Sequence, residues 1–587
     1  MHAAPPIAST TNLPVRRARA VRSTRGARLL RTASYLSLAQ LAARARFMLQ
    51  RRIYALAPAH PIDAARQAAA ATRVADPLPA LMLELIAPED AALVEARASA
   101  VARGRFCYLR READYSAGIR WRDPDASPLW LFNLQYLGAL LDLALTDRVP
   151  EARHLLAAWS AEFGQRWDAV AWHPYPVSLR LTNICFAAGH LRGFDALGPD
   201  AAALAAAHAA YLLRHLEHDL RGNHLLENAC ALLVASAFLH GPLAERCGAA
   251  ARAILAVEIP EQVQADGSHF ELSPMYQLIV LQRCLQALAL LDPNEPLARA
   301  TIAPAVTRMA RCVAATLCPD GDFAPLGDAA RGFAPPAAVL LAVAERFTGV
   351  TAAPAPLGVT AFDNVGLHVF RTPRTWAIFD AGPVCADYLP GHGQADSLTV
   401  EVWCDGACVV GDPGVHEYTG PERAWGRSSR AHSTLTVDDA DTSEVYGSFR
   451  VGGRARIVAV TRSDDAVTAA LEPFGVRGRL TRMVRVDRAA GGGVEIVDAA
   501  AVASGSTVRS RLHLHPAVQV AADLAADARS IVVRTPAGRV RIDAEQPMYL
   551  EPGRASREYG LIEATTILVQ PLVAGAARFS IVPLERG

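Results

Sequence analysis

The sequence contains no lysine. All 59 basic side chains are arginines, so lysine can neither form a Schiff base nor hold a phosphate in a P-loop. Basic and acidic residues nearly cancel, at 59 against 58, and the formal charge is +1. A surface that binds nucleic acid needs a basic excess to neutralise phosphates, so this balance argues against nucleic acid as a partner.

Other chemistries are also poorly represented. None of the ten cysteines forms a CxxC pair, and most lie in apolar runs, which predicts buried small side chains rather than zinc ligands or disulfides. No apolar run reaches the ~18–20 residues of a membrane span. The first 30 residues lack the unbroken apolar core of a secretory signal, and we predict a flexible segment over 1–30.

The period of the apolar residues divides the remaining chain into two parts. Over 31–352, apolar residues recur at three- and four-residue spacing, as in 137–145 and 201–220, which predicts many helices joined by short loops. Such helices suit an α-hairpin array or an α/α toroid. Over 359–587 the period is two, with polar turns, which predicts a large antiparallel β-sandwich.

Three polar clusters are candidates for chemistry. The first, at 222–228, precedes an apolar run and places Asn223 at a helix start, with His224 and Glu227 three residues apart on one face. The second, at 266–276, contains an acid, a histidine and Tyr276 just before another helix. In the third, Gly391 and Gly393 flank a histidine on a loop at the start of the sandwich.

Together these motifs resemble the heparinase II/III-like polysaccharide lyases, a bacterial family that also includes alginate lyases. The resemblance covers nearly the whole chain and implies an α/α toroid (an incomplete barrel) followed by an antiparallel β-sandwich. Its marks, in order, are the stretches 29–35, 130–136, 174–180, 223–228, 266–276, 391–393 and 431–434.

The family's reaction is β-elimination at a uronic acid, which needs a group that neutralises the carboxylate, a base and an acid. The resemblance implies that Asn223, with His224, binds the carboxylate, and that Glu227 orients His224. It makes Tyr276 the general acid and, in a syn elimination, also the base. It makes His392 an alternative base or second carboxylate ligand.

The resemblance implies further candidate site residues, through their positions in the sequence. Tyr418 matches a tyrosine that serves as base in alginate-cleaving relatives. Substrate-binding side chains would pair with acidic groups or stack on sugar rings, and the alternative for each is a place in the core or a helix cap. These candidates are Arg180, Trp130, Asn133, Tyr136, Tyr175 and His269.

A metal site is also implied, with one departure. Many relatives carry a second histidine two residues after the one matching His392, and it binds zinc with the residues matching Asp412 and His432. Here that position is Gln394, a poor zinc ligand but an acceptable oxygen ligand for a harder cation. The expectation is one divalent ion in the sandwich, zinc or a harder cation such as calcium, or none, and no organic cofactor.

The leading hypothesis is therefore a lyase that acts on an acidic, uronate-bearing polysaccharide. The first alternative is a non-catalytic protein that binds such a glycan or assists the export or synthesis of an exopolysaccharide. The second is a toroidal glycoside hydrolase, for which Glu227, Asp266 and Glu271 are candidate carboxylates. The lack of a signal core favours the cytoplasm, whereas a polymeric substrate favours the periplasm, so the compartment stays open.

Overall fold

The computed structural model describes residues 24–69, 73–74, 82, 85, 90–488, 492–520, 527–573 and 575–585. A helical part comes first and a mainly β part, with one short helix at Gly420–Gly426, follows, as the change of period predicts. The last helix of the first part ends at Thr348, and the first strand of the second begins at Gly358. Residues 1–23, most of the segment predicted to be flexible, lie outside the described residues.

The helices of the first part form the α/α toroid. Its α-helices are Arg25–Ala33, Leu38–Leu56, His60–Ala69, Ala91–Ala102, Pro128–Tyr136, Gly138–Leu145, Val149–Phe163, Pro174–His190, Ala201–Leu212, Gly222–Phe238, Pro242–Gln262, Pro274–Leu290, Ala303–Thr316 and Ala337–Thr348. Shorter elements are the 3₁₀ turn Phe194–Leu197, the π-helical turn Leu297–Ile302, the hairpin Arg105–Tyr108 with Arg111–Asp114, and the strand pair Arg73–Val74 with Leu239–His240.

Proline starts several of these helices because its fixed φ suits the first turn, where its missing N–H is not needed. Pro128, Pro174, Pro242 and Pro274 all occupy such positions. The helix predicted over 137–145 is observed as Gly138–Leu145, and Leu137, with a left-handed φ of 53°, separates it from the preceding short helix. The helix predicted over 201–220 ends at Leu212.

The second part contains three main antiparallel sheets. The first holds, in spatial order, Gly358–Phe362, Leu367–Arg371, Thr375–Asp380, Val400–Cys404 and Ala407–Val410. The second holds Arg456–Arg462, Ala466–Glu472, Gly478–Val486, Val494–Val502, Ala576–Pro583, Gly538–Ala544 and Ser530–Thr535. The third holds Leu435–Val437, Val508–His513, Glu563–Pro571 and Tyr549–Ala555, and Val445–Tyr446 pairs separately with Arg450–Val451.

The five-stranded sheet lies between the toroid and the rest of the sandwich. On one face, Phe379 and Val402 pack with Val484 of the seven-stranded sheet. On the other face, Trp403 packs with Leu326 of the helical part. Because both faces are covered, strand Val400–Cys404 is buried at every position, and its loops are held against the ends of the helices.

The two helices Arg25–Ala33 and Leu38–Leu56, here called the N-terminal strap, contact both parts. Thr32 Oγ1 lies 2.7 Å from the hydroxyl of Tyr446 in the sandwich, and Tyr54 Oη lies 2.8 Å from Nε2 of His215 in the toroid. In the part of the chain that the structure describes, no single helix is long and apolar enough to cross a membrane. One pair bent by 41°, Pro128–Tyr136 with Gly138–Leu145, passes that test of length and composition only when joined.

All ten cysteines lie in described residues and none is in a disulfide. Nine are buried and Cys107 is exposed. Burial raises the pKa of several of these thiols, for example that of Cys284 to about 12. The nine buried cysteines are therefore small apolar side chains, as the sequence predicts for most of them.

Candidate active site

The candidate site lies where the ends of toroid helices meet loops of the sandwich. The start of helix Gly222–Phe238 brings Asn223 and His224, and the start of Pro274–Leu290 brings Tyr276. The short turn Pro390–His392 brings His392 from the sandwich. Residues from three distant parts of the chain therefore share one region, as the resemblance implies.

Glu271 joins Asn223 to His392. Its carboxylate accepts hydrogen bonds from the backbone N–H of Asn223 at 2.6 Å and from Asn223 Nδ2 at 2.7 Å. The same carboxylate lies 3.0 Å from His392 Nε2. Glu271 and Asn223 are buried, so these charge-assisted contacts are shielded from solvent.

His392 carries a second carboxylate partner on its other ring nitrogen. His392 Nδ1 lies 3.2 Å from Asp328 Oδ2. Burial opposes the charged imidazolium, but the hydrogen bonds to Asp328 and Glu271 outweigh burial and raise the pKa of His392 to about 9. The ring is therefore a cation at neutral pH, with both nitrogens acting as donors.

Asp328 is the centre of the second half of this network. Arg423 contacts both of its oxygens, with Nη2 to Oδ2 at 2.7 Å, and Gln394 Nε2 donates to Oδ1 at 3.0 Å. Burial opposes the charged carboxylate, but Arg423 and His392 together hold the pKa of Asp328 well below its usual range. Burial also opposes the charged form of Glu271, but the hydrogen bond and the positive charge of His392 outweigh it and lower the pKa of Glu271 to about 2.

Tyr276 stacks on His392 and begins a row of three tyrosine hydroxyls. The rings of Tyr276 and His392 have centroids 4.1 Å apart. Tyr276 Oη lies 3.0 Å from Tyr418 Oη, which in turn is hydrogen-bonded by the hydroxyl of Tyr559. Burial raises the pKa of Tyr276 well above its ordinary value, so Tyr276 is a neutral proton donor in the free protein.

Glu217, rather than Glu227, is the partner of His224. His224 Nδ1 lies 2.8 Å from Glu217 Oε1, and Glu217 Oε2 accepts from Asn228 Nδ2 at 2.9 Å. Burial opposes the charged ring, but Glu217 raises the pKa of His224 above its usual value. The side chain of His224 is 29% exposed.

The predicted role of Glu227 is therefore wrong. Glu227 Oε2 accepts a hydrogen bond of 2.7 Å from Arg283 Nε on the neighbouring helix. This buried ion pair holds two helices together and leaves His224 to the loop acid Glu217.

Two of the predicted substrate-binding residues lie in the site. The ring of Tyr175 is 4.5 Å from that of His224, and the ring of Tyr136 is 6.0 Å from that of Tyr175. Tyr175 is half-buried and Tyr136 is buried beneath it. An aromatic wall thus runs beside the histidine, with Tyr175 as its more accessible ring.

Arg180 and Trp130 are core residues, which contradicts their predicted role. Arg180 is fully buried and donates to the carbonyl oxygens of Gln135 and Ala171, each at 2.7 Å. Trp130 is 1% exposed, and its Nε1 donates to the carbonyl of Arg111 at 3.0 Å. Neither side chain has an exposed polar group left for a sugar.

Asn133 and His269 are also used within the protein. Asn133 Nδ2 donates to the carbonyl of Leu129 at 2.9 Å in its own helix. His269 is 2% exposed, with Nε2 at 3.2 Å from Gln262 Oε1. Burial lowers the pKa of His269 to about 4, so this ring is neutral. His269 is therefore a core residue, which contradicts its predicted role, whereas substrate binding by the half-buried Asn133 stays a prediction.

The residues proposed for a metal are held by other protein groups in this structure. His432 has no free nitrogen, since Nδ1 contacts Asp412 Oδ2 and Nε2 contacts the carbonyl of Gly426, both at 2.9 Å. Gln394 directs Nε2 to Gly327 O and to Asp328, which leaves only Oε1 unpaired. Across the described ranges, no group of three or more His, Cys, Asp and Glu side chains could hold a metal ion.

Several site residues have no signal in the sequence that assigns them this role. Glu271 lies within the second polar cluster, where the sequence indicates only a candidate carboxylate for hydrolysis. The others, each brought into the site by tertiary contacts, are Glu217, Asp328, Arg423 and Tyr559. The acid seven residues before His224 would be found only by considering the loop that precedes the helix.

Comparisons with known proteins agree with this architecture. The chain is 29% identical to the heparin-sulfate lyase of Pedobacter heparinus over 266 residues, which is 39% of this chain and 38% of that protein. A crystal structure of heparinase III superposes with a TM-score of 0.69 at 16% identity, covering 94% of this chain and 93% of the other. The heparan sulfate lyase HepC of Pedobacter heparinus gives 0.55 at 21% identity, covering 90% and 88%. At these identities the two structures show the fold.

Two family models match the chain in the expected order. The model described as Heparinase II/III N-terminus matches residues 165–333. The model described as Heparinase II/III-like, C-terminal, matches residues 354–582. The first match contains Asn223, His224 and Tyr276, and the second contains His392. The chain therefore belongs to the heparinase II/III-like family.

Proposed function

We propose that this chain is a polysaccharide lyase that cleaves a uronate-bearing polysaccharide of the glycosaminoglycan class by β-elimination. The observation that carries the proposal is the contact series Asn223–Glu271–His392–Tyr276, which links both parts of the chain. The relative that matches in sequence is a heparin-sulfate lyase, which supports the same substrate class. That alignment spans 38% of the relative, so the activity of the whole chain is part of the proposal.

The elimination requires one proton to be removed and another to be donated. The C5–H bond breaks, its electron pair forms the C4=C5 double bond, and the C4–O bond to the leaving sugar breaks. A base takes the C5 proton, and an acid protonates the departing oxygen. Positive or hydrogen-bond-donating groups must face the uronate carboxylate, because negative charge spreads onto it in the transition state.

We assign the carboxylate-binding role to His392 and Asn223. The His392 ring is held as a cation, and Asn223 Nδ2 has a second hydrogen besides the one given to Glu271. Since both ring nitrogens of His392 face carboxylates, this side chain is a poor candidate for the base. It supplies positive charge beside the reacting sugar.

We assign the acid to Tyr276 and the base to His224. The Tyr276 hydroxyl is neutral, and it lies next to the positive His392 ring, which stabilises an oxyanion formed when the proton leaves. His224 has its Nδ1 held by Glu217, which leaves Nε2 as the nitrogen that can accept a proton. Glu217 also stabilises the imidazolium that forms.

The arrangement of carboxylates argues against glycoside hydrolysis. That reaction needs one carboxylic acid and one carboxylate on either side of the scissile bond. Glu271 is bound to His392 and Asn223, and Glu227 to Arg283. Asp266 accepts hydrogen bonds from the backbone N–H and the hydroxyl of Ser268. None of these three is placed as a proton donor to a sugar.

The test is the ultraviolet absorbance of the unsaturated uronate formed from heparan sulfate, hyaluronan, alginate or native exopolysaccharide. We expect a rise with heparan sulfate or hyaluronan, which are the glycosaminoglycans of this panel, and a loss of about 10²–10⁴-fold in kcat for Tyr276→Phe because the acid is removed. Tyr388→Phe is the matched control, since that hydroxyl contacts only Glu261. Full activity of Tyr276→Phe would exclude the assigned acid. Binding of polymer without any product would favour the non-catalytic glycan-binding protein.

A further inference from the structure

The N-terminal strap exposes an unusual amount of apolar side chain. Among the described residues, 20 large hydrophobic side chains are exposed, and nine of them lie within 29–56. On helix Leu38–Leu56, Leu38 is 85% exposed, Met48 61% and Leu49 59%. Scattered single residues of this kind are ordinary, but a concentration in one short segment indicates a contact surface.

The exposed residues of the second strap helix form one stripe. They recur at three- and four-residue spacing, at Leu38, Leu41, Met48, Leu49, Ile53 and Leu56. A different face of the helix carries the contacts with the rest of the protein, through Gln40, Phe47 and Tyr54. The stripe is therefore left over after the helix has packed, and contacts among the described residues do not account for it.

The charge around the stripe has one sign. The first 62 residues contain eleven arginines and no aspartate or glutamate, although the whole chain is nearly neutral. Arg46, Arg51 and Arg52 are exposed on the stripe helix, and Arg46 also donates to the carbonyl of Arg214. Arg28 and Arg31 are engaged with Glu444 of the sandwich. An apolar stripe beside exposed arginines fits a partner that offers both apolar surface and negative charge.

We propose that this stripe binds the surface of an anionic lipid bilayer, with helix Leu38–Leu56 lying in the plane of the interface. Leucine, methionine and isoleucine insert at the boundary of headgroups and acyl chains, while arginines meet the anionic headgroups. An acidic polysaccharide would satisfy the arginines but would leave the aliphatic stripe in water. A two-fold pairing of the stripe with a second copy would bring together two segments rich in arginine and without acids, which is unfavourable.

The proposal goes beyond the lyase activity and places the enzyme at a membrane surface. The strap also contacts the toroid near the site, since the ring of Phe47 lies 5.8 Å from that of His173, and His173 Nδ1 is 3.8 Å from Glu217. The stripe lies on the other side of the helix from these contacts. The bilayer would therefore bind the strap without entering the site.

Flotation of the full chain with vesicles tests the proposal. We expect the protein to float with phosphatidylglycerol-containing vesicles, weakly or not at all with pure phosphatidylcholine vesicles, and less at high salt. Leu49→Gln with Ile53→Gln should weaken binding at least about tenfold, because the buried apolar area is lost. The matched control is Val257→Gln with Leu357→Gln, at positions 61% and 59% exposed elsewhere, which should bind like the parent.

Three outcomes would overturn the proposal. The first is no flotation with anionic vesicles, and the second is equal flotation of the strap variant and its control. The third is a dimer in light scattering that the strap variant converts to a monomer without any lipid binding, which would make a second copy the occupant. The strap double variant and the control double variant should have equal melting temperatures and equal lyase activities. This equality shows that both variants are folded, so that their lipid binding can be compared.

Discussion

His392 is a positively charged side chain held between two buried carboxylates. In water an imidazole with a pKa of about 9 would be unusual, but here the ring nitrogens donate to Glu271 and Asp328. Each carboxylate is also held by a second donor, Asn223 on Glu271 and Arg423 on Asp328. The cation is therefore fixed in place before substrate arrives, which is what stabilisation of a developing negative charge requires.

The pairing of His224 with Glu217 leads to a prediction about pH. In Glu217→Gln the carboxylate that raises the pKa of His224 is gone, so this pKa should fall. If His224 is the base, the acid limb of kcat/KM should move to lower pH, and each unit of movement corresponds to about 1.4 kcal/mol. The pKa of His224 from NMR titration and the pH profile of the elimination measure this.

Glu227→Gln is the control for that experiment. Glu227 is bound to Arg283, so its neutralisation should lower stability while leaving the pKa of His224 and the acid limb in place. A shift in Glu227→Gln as large as in Glu217→Gln would return Glu227 to the role that its three-residue spacing from His224 predicts. Helical spacing identifies possible neighbours, but an arginine from the next helix attracts this carboxylate more strongly.

At the scale of the element, the start of helix Gly222–Phe238 lets the side chain of Glu271 approach the helix backbone closely. Gly222 has a φ of +56°, which favours glycine, and a Cβ there would contact Glu271 and lie 2.5 Å from Leu389 Cδ2. The absence of a side chain lets Glu271 reach the N–H of the next residue, Asn223. The site thus depends on the conformation of the helix start as well as on its polar side chains.

Gly222→Ala should therefore impair both folding and activity. We expect a loss of roughly 2–3 kcal/mol of unfolding free energy, from backbone strain and displacement of Glu271. The activity should also fall at temperatures where the variant is still fully folded. Gly391→Ala is the matched control, because nothing lies within 4 Å of its added Cβ and its φ is ordinary. Thermal unfolding and the absorbance assay check both variants. Equal effects of the two would contradict the role of Gly222.

The contacts of His432 lead to a prediction about the metal content of the purified protein. Asp412 and His432 form a buried ion pair in which both ring nitrogens are occupied, and Asp412 overcomes burial to raise the pKa of His432 to about 9. Zinc would have to displace this proton and the contact with Asp412 before it could bind, which lowers its affinity. We therefore expect purified protein to contain zinc or calcium well below one ion per chain, and chelation to leave its melting temperature and activity unchanged. Elemental analysis and a chelator titration measure this, and a stoichiometric ion would contradict it.

At the scale of the whole molecule, the polar network joins the two parts of the chain. His392 belongs to the sandwich, whereas Glu271 precedes helix Pro274–Leu290 of the toroid. The five-stranded sheet supplies the apolar part of the same contact through Trp403 and Leu326. Ionisation of the network is therefore coupled to docking of the two parts.

This coupling predicts how stability depends on pH. The pKa of His392 rises from 6.5 to about 9 on folding, so its contribution is fully present below pH 6.5 and is lost as pH rises through about 9. The pKa of Glu271 is lowered to about 2, so its contribution is present above pH 4.5 and is lost as pH falls toward 2. The melting temperature should therefore be highest between about pH 4.5 and 6.5 and should fall on both sides of this mildly acidic range.

The variant His392→Gln tests the predicted fall of stability at alkaline pH. The variant should be less stable at neutral pH, by about 3–5 kcal/mol, because two buried carboxylates lose a partner. It should also lose less stability than the parent between pH 6.5 and 9. Melting temperatures of both proteins across this range provide the measurement, and the difference between them removes the contribution of His432. Parallel curves would show that His392 does not titrate in this range.

Local patterns in the sequence were sufficient for the architecture. The last helix before the change of period ends at Thr348, and the region predicted to have a period of two, 359–587, holds the strands from Gly358–Phe362 to Ala576–Pro583. Periodicity records which face of an element is buried, so it predicts element type well. It does not show a strand covered on both faces, and it did not predict the short hairpin Arg105–Tyr108 with Arg111–Asp114.

The sequence by itself determined the two-part architecture and, through motif order, the family, and it predicted Asn223, Tyr276 and His392 as candidate site residues. Only the tertiary structure decided the partners of those residues: Glu217 for His224, Glu271 and Asp328 for His392, and burial for Arg180. The reason is physical. Element type depends on neighbours within a few residues, whereas the ionisation of a buried side chain depends on charges that reach it from distant parts of the chain.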